Sequence, residues 1–156
     1  MNFDLKKLKK QFEKQEEDEE FIDTLLKTLN DETNEYILDL TTDKIKQLNH
    51  DALEELQLPK DTTRTYLKQL KHYVYIDELQ NLRYGSFLRW ISLADPDKLF
   101  LNRGAIFCEI KVTDEGLALV VKNYRNQYFV LKFDENMIFQ KLRDQELILL
   151  KAMDML

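Results

Sequence analysis

Two hydrophobic periods divide this chain near residue 72. In residues 1–71, apolar side chains recur at spacings of three and four, which is the period of a helix. From residue 73 onward, short runs rich in aromatic and β-branched residues take over, as is typical of strands. We therefore predict an α+β protein, with a helical region over residues 1–71 and a small β-structure with a C-terminal helix over residues 72–156.

The first helical segment, residues 3–29, carries an apolar seam that indicates a coiled coil. A polar middle interrupts the seam, so the segment predicts either one long helix or two shorter ones. Lysines precede a run of acidic residues along it, an order that opposes the helix dipole and suits an antiparallel partner. A solvated charged face is the alternative. We expect self-association through the seam residues, which are Leu5, Leu8, Phe12, Ile22, Leu26 and Leu29.

Residues 42–71 predict a helical hairpin. Thr42 is a good N-cap for the first helix, Pro59 ends that helix, and Asp61 or Thr62 caps the second. A DNA-reading helix-turn-helix is the alternative, but the turn lacks a small residue and the first helix is acidic. An ordinary hairpin is therefore the favoured interpretation.

The C-terminal half contains five candidate strands, and glycines or asparagines occupy most of the joints between them. The strands are Tyr73–Ile76, Phe87–Leu93, Ala105–Thr113, Leu117–Lys122 and Tyr128–Phe133. Such a five-stranded antiparallel meander predicts a small barrel of the SH3 or Sm kind. We expect Met137–Leu142 to form a short bridging segment and Asp144 to cap a closing helix.

Composition excludes several classes of protein. The formal net charge is −6 and lies mostly in residues 1–71, which argues against bulk nucleic-acid binding. No apolar run is long enough to span a bilayer. The single cysteine, Cys108, favours a reducing compartment, so we expect a cytoplasmic or nuclear protein without a membrane partner.

No motif in the chain indicates catalysis. The three glycines are isolated, so there is no phosphate-binding loop. His50, His72 and Cys108 stand apart from one another, which gives neither a metal cluster nor a supported nucleophilic pair. We predict a non-enzymatic protein with no cofactor, no metal and no small-molecule substrate.

Two stretches are candidate binding surfaces. The first is the strand containing Phe87, Arg89 and Trp90, in which the tryptophan is either part of the core or the lining of a groove. The second is a hairpin tip where cations and tyrosines interleave, a composition compatible with acidic peptides or single-stranded nucleic acid, or simply with a solvated turn. Its candidate residues are Lys122, Tyr124, Arg125, Tyr128 and Lys132.

The segments Tyr84–Ile91, Val121–Asn123, Ile138–Leu142 and Gln145–Glu146 carry a resemblance to known proteins. Over the C-terminal half, the chain resembles small proteins encoded by large double-stranded DNA viruses. The resemblance brings no settled function, but it implies a virion component or a modulator of host machinery.

These observations predict a protein–protein interaction or assembly module that forms a homo-oligomer or binds a protein partner. The alternative is an accessory RNA- or DNA-binding protein that uses the face around residues 122–132.

Overall fold

The structure is a computed structural model, and it describes residues 40–156. By the density of its contacts the chain divides into two compact units. The described part of one unit comprises residues 40–45 and 142–156, and the other comprises residues 46–141. The predicted coiled coil of residues 3–29 lies outside the described residues, and so does its apolar seam.

Two helices occupy the segment that predicts a helical hairpin. They are α1 (Thr42–Glu54) and α2 (Lys60–Gln69). Thr41 caps α1 in place of Thr42, because the Thr41 hydroxyl oxygen accepts the Lys44 N–H at 3.2 Å. Pro59 occupies the N-cap position of α2 and no side chain caps that helix, so the expected caps from Asp61 or Thr62 do not form.

Residues 73–141 form one antiparallel sheet of six strands. The strands are β1 (Tyr73–Ile76), β2 (Phe87–Ser92), β3 (Ala105–Thr113), β4 (Gly116–Lys122), β5 (Tyr128–Lys132) and β6 (Asn136–Lys141). Their order across the sheet is β1-β6-β2-β3-β4-β5. Single 3-10 turns lie at Leu79–Asn81 and Phe133–Glu135.

The predictions of five strands and of a small barrel of the SH3 or Sm kind are wrong, because the chain forms one six-stranded sheet. The segment expected to bridge to the C-terminal helix, Met137–Leu142, contains most of β6, which pairs with β1 on one side and β2 on the other. Four consecutive β6 residues are buried, so the strand lacks the alternation that marks a half-buried strand in a sequence. β6 therefore lies between β1 and β2, and the two ends of the sheet are β1 and β5.

The core of the unit formed by residues 46–141 lies where α1 and α2 pack on the sheet. All of its buried members have apolar side chains. They are Ala52, Leu53, Leu70, Ile91, Met137 and Phe139. Burying a side chain of the larger kind contributes about 1.5–3 kcal/mol, so this cluster fixes the helices against β2 and β6.

The described part of the other unit contains the helix α3 (Asp144–Asp154). Arg143 occupies its N-cap in place of the predicted Asp144, and the Arg143 backbone N–H donates to Glu146 Oε1 at 2.9 Å. At the far end of α3, Asp154 accepts hydrogen bonds from the backbone N–H and the hydroxyl of Thr42. None of the helices in residues 40–156 is both long enough and apolar enough to cross a membrane.

Candidate binding edge and groove

One outer edge of the sheet, at β1, is closed by a side chain from α1. Asn49 is 3% exposed, and its amide group lies against the backbone of β1. Its Nδ2 donates to the Tyr73 carbonyl oxygen at 2.9 Å, and its Oδ1 accepts the Tyr75 N–H at 2.8 Å. The side chain thus takes the place of a neighbouring strand at two outward polar groups of β1, while the Tyr73 N–H donates to the Leu70 carbonyl oxygen at 2.9 Å.

The opposite edge, at β5, carries outward backbone groups. The Asn123 N–H donates to the Gln127 carbonyl oxygen, so this facing pair begins the ladder between β4 and β5. Hydrogen-bonded pairs alternate in an antiparallel ladder, which directs the N–H and C=O of Tyr128 and Val130 away from β4. Within residues 40–156 no further strand pairs with β5. Both residues therefore present a free donor and a free acceptor along the same line.

The side chains of β5 are also exposed, although they are apolar. Tyr128 is 65% exposed, Phe129 44% and Val130 61%. Edge strands of monomeric proteins are usually protected by charge, proline or a covering element. The first three residues of β5 carry no charge or proline, and no strand from residues 40–156 covers them. A short apolar edge of this kind is a ready-made template for another strand.

A groove of about 580 Å³ adjoins β5. Its apolar lining includes Trp90 from β2 together with Phe129 and Leu131 from β5. The polar lining comes from the loop before β3 and from the β4–β5 turn. These polar residues are Asn102, Arg103, Asn123, Tyr124, Arg125 and Gln127. Volume and composition fit a site that takes one or more side chains of a ligand.

The loop that carries Arg103 is held firmly on β2. The backbone N–H and the side-chain amide of Asn102 both donate to the Trp90 carbonyl oxygen, at 2.8 and 3.0 Å. Arg89 Nε donates to the Asn102 carbonyl oxygen at 2.8 Å. Gly104 follows with a φ of +109°, and a Cβ there would lie 2.5 Å from the Phe87 ring. Only glycine therefore fits, and the loop has one well-defined path.

The β4–β5 turn is organised by Asn123. Its Oδ1 accepts the N–H groups of Arg125 and Gln127, each at 2.9 Å, and its Nδ2 donates to Gln127 Oε1 at 3.0 Å. Asn126 adopts a φ of +61°, a conformation that asparagine tolerates better than most residues. Arg125 Nε donates to the Tyr124 hydroxyl at 3.1 Å, so the turn presents these two side chains together.

The groove carries positive charge that no acid within residues 40–156 compensates. Its lining contains two arginines and no Asp or Glu. In residues 40–156, no carboxylate lies within ion-pair distance of Arg103 or Arg125. The guanidinium carbon of Arg125 lies over the neutral ring of Tyr124, 5.4 Å from the ring centroid. An anionic group entering the groove would meet both cations without displacing an internal partner.

Lys132 contrasts with these arginines. Its ammonium group lies against the carboxylates of Glu115 and Glu135. The hydrogen bond and charge of Glu115, and then the charge of Glu135, raise the pKa of Lys132 above its usual range. The same contact with Lys132 lowers the pKa of Glu115. The charge of Lys132 is therefore already balanced within the sheet.

The predicted binding residues separate into three groups. Trp90, Tyr124 and Arg125 come together in the groove, although they were predicted as parts of two separate surfaces. Phe87 and Arg89 lie beneath the loop 102–104 and hold it rather than line the groove.

The remaining three predicted residues, Lys122, Tyr128 and Lys132, point to the other face of the β4–β5 hairpin. Tyr128 pairs directly with Lys122, and paired residues share a face. Phe129 and Leu131, which line the groove, alternate with them along β5.

Sequence reasoning missed Arg103 and Asn49. The segment Asn102-Arg103-Gly104 carries the composition of a turn, and its arginine draws no attention beside two turn residues. The available signal was the position of Arg103, a cation between an asparagine and a glycine next to an aromatic strand. Asn49 gave none, since its partners are 24 and 26 residues away.

Residues 40–156 bring no group of three or more His, Cys, Asp or Glu side chains together in an arrangement that could hold a metal ion. Comparison of the chain with known protein families, with curated proteins and with solved structures finds no match. The resemblance to viral proteins therefore stays an expectation.

Proposed function

We propose that this chain is a protein-interaction module that binds an extended segment of a partner protein as an additional strand beside β5. The observation that carries the proposal is the difference between the two edges of one sheet. Asn49 closes the β1 edge with two hydrogen bonds, whereas β5 presents outward backbone groups and exposed apolar side chains. Strand addition to a free edge is a recurring mode of peptide recognition.

The backbone groups supply affinity that does not depend on the partner's sequence. A strand paired with Tyr128 and Val130 forms up to four N–H···O=C bonds, each contributing about 0.5–1.5 kcal/mol net. Covering the exposed parts of Tyr128, Phe129 and Val130 adds apolar burial. These contributions must offset the conformational entropy that the partner segment loses when it becomes ordered, so we expect moderate affinity.

The proposal is tested by panning a display library of random peptides against the full chain. Selected peptides are then measured against two variants at one position. Val130→Pro removes the outward N–H that an added strand needs, because proline has no donor. Val130→Thr keeps the donor and the branched shape, and it serves as the matched control.

We expect Val130→Pro to abolish binding of the selected peptides and Val130→Thr to preserve it within a few-fold. A methyl group on a peptide backbone nitrogen should block binding where that nitrogen faces β5. The same group on the next residue, whose N–H points away from β5, should leave binding unchanged. Selection of peptides that bind both variants equally, or selection of none, would overturn the proposal.

The sequence-based alternative, RNA or DNA binding through residues 122–132, has weaker support. Lys132 is engaged by Glu115 and Glu135, and Lys122 points to the opposite face from the groove arginines. Nucleic-acid binding requires a contiguous surface of unpaired basic residues, and these contacts argue against one. Self-association through residues 3–29 and a viral origin remain predictions from the sequence.

A further inference from the structure

We infer that the partner segment is acidic, and that Arg103 and Arg125 select it by binding carboxylates that the added strand directs into the groove. This inference rests on the proposed function and names the chemistry of the partner. It commits to an extended acidic segment of a second protein as the occupant.

The β5 strand and the groove are continuous. Phe129, Val130 and Leu131 belong to β5 and also line the groove, so a strand added to β5 runs along its margin. Successive side chains of an added strand alternate between the two faces of the sheet. Every second side chain of the partner therefore projects on the same face as Phe129 and Leu131, towards the groove.

Charge complementarity decides which side chains fit. The chain as a whole is acidic, with a formal net charge of −6, yet the groove is lined by two arginines and no carboxylate. Cationic segments would be repelled there, while glutamate or aspartate would form charge-assisted hydrogen bonds with guanidinium groups. Asn102, Asn123 and Gln127 line the same groove and add no charge to it.

The arginines are presented by pre-organised segments. Arg103 follows Asn102, which is held by three hydrogen bonds to or from β2, and precedes Gly104. Arg125 lies in the turn that Asn123 closes. Because these backbones are ordered before binding, the conformational entropy lost on carboxylate capture is that of the arginine side chains and not of the loops. Trp90 also lines the groove and is 9% exposed, so its small accessible part adds an apolar contact.

Trp90 also makes the site measurable, because it is the single tryptophan of the chain. The probe is a short peptide in which glutamate alternates with valine and one phenylalanine. Matched peptides carry glutamine or lysine in place of glutamate. Binding is followed by tryptophan fluorescence, excited where tyrosine does not absorb, and by titration calorimetry.

We expect the glutamate peptide to bind at least about tenfold more tightly than the glutamine peptide, and the difference to shrink as salt is added. Arg103→Gln and Arg125→Gln should each remove about three- to tenfold of the affinity for the glutamate peptide and none for the glutamine peptide. Lys111→Gln makes the same change of charge on β3, at a residue paired with Glu109, and should leave both affinities unchanged.

The outcomes separate this inference from the proposed function. If the glutamate and glutamine peptides bind equally well, and Val130→Pro abolishes the binding of both, the acidic specificity is overturned and strand addition stands. Binding of neither peptide, together with library peptides that ignore Val130, would overturn both.

Two further probes test the occupant. A peptide with this chain's own residues 15–22, QEEDEEFI, competes with the glutamate peptide if the same chemistry is recognised. A single-stranded oligothymidylate that binds more tightly than the glutamate peptide, and loses affinity in Arg103→Gln, would overturn the assignment of a protein partner.

Discussion

The β1 and β5 strands lie at the two ends of the same sheet and solve the problem of an unpaired edge in opposite ways. At β1, the Asn49 amide reaches from α1 and hydrogen-bonds the carbonyl of Tyr73 and the N–H of Tyr75. At β5, within the part of the chain that the structure describes, the corresponding groups of Val130 meet no such partner.

The difference between β1 and β5 shows that an unpaired edge is not an unavoidable consequence of this fold. Within residues 40–156, a side chain closes the edge at β1 and none closes the edge at β5. Leaving three exposed apolar residues on β5 carries a risk of aggregation, and proteins commonly remove that risk. Retaining the open edge beside a positively charged groove is what a binding site requires, so the contrast supports strand addition.

The largest expected effect comes from proline at the closed edge. Tyr75→Pro removes the N–H that Asn49 accepts and leaves a buried amide oxygen unsatisfied. We expect the free energy of unfolding to fall by about 3–5 kcal/mol relative to Tyr75→Val, which loses the ring but keeps the donor. Urea denaturation measures both variants. A loss of the same size as that from proline at position 130 would show that the edges are equivalent.

Truncating the closing side chain should have the next largest effect. Asn49→Ala leaves the outward carbonyl of Tyr73 and the N–H of Tyr75 without partners, and we expect a loss of about 2–4 kcal/mol. Gln47→Ala on the exposed side of α1 is the control and should stay within about 0.5 kcal/mol of the unmodified chain. An Asn49→Ala variant as stable as the control would remove the evidence that β1 is closed.

Proline at the open edge should be tolerated. Val130→Pro removes a donor that faces away from β4, so the ladder between β4 and β5 keeps its hydrogen bonds. We expect a free energy of unfolding within about 1 kcal/mol of Val130→Thr. A loss above about 3 kcal/mol would mean that the Val130 N–H already has a partner in the folded chain.

The smallest expected effect is a pH dependence of stability that arises at the closed edge. Burial, followed by the negative charges of Asp77 and Glu55, raises the pKa of Tyr75, and burial raises that of Tyr73 against the opposing charge of Arg89. Stability from a raised phenol pKa is fully present below the ordinary value of about 10 and is lost as pH rises through the folded-state pKa.

Unfolding free energies should therefore decline above about pH 10, and Tyr75→Phe should flatten the decline. Denaturation midpoints measured from neutral to alkaline pH test this. A slope that is identical in the unmodified chain and in the Tyr75→Phe variant would contradict the assignment.

Local features of the chain were predictable because they depend on neighbours in sequence. The alternation along Tyr128–Phe133 predicts which side chains share a face, and the register with β4 agrees. The composition of the tip also drew attention to Tyr124 and Arg125, which line the groove. Short-range periodicity and turn chemistry carry this information.

Long-range features were not predictable in this way. The β6 strand has no alternation because both of its faces are buried, so its place between β1 and β2 leaves no local signal. The prediction of a five-stranded barrel of the SH3 or Sm kind followed directly from omitting this strand. Asn49 and Arg103 gain their roles from residues brought near by folding, and nothing in the flanking sequence distinguishes them from a helix-surface amide and a turn cation.

Residue-resolved amide hydrogen exchange, with and without a peptide selected by the full chain, tests the central claim most directly. The account predicts that the Val130 and Tyr128 amides exchange quickly in the free chain and slow by at least about tenfold when the peptide binds. The Tyr75 amide should be protected in both states because Asn49 holds it. Slow exchange at Val130 before peptide is added, or protection that develops elsewhere and leaves β5 unchanged, would contradict strand addition at this edge.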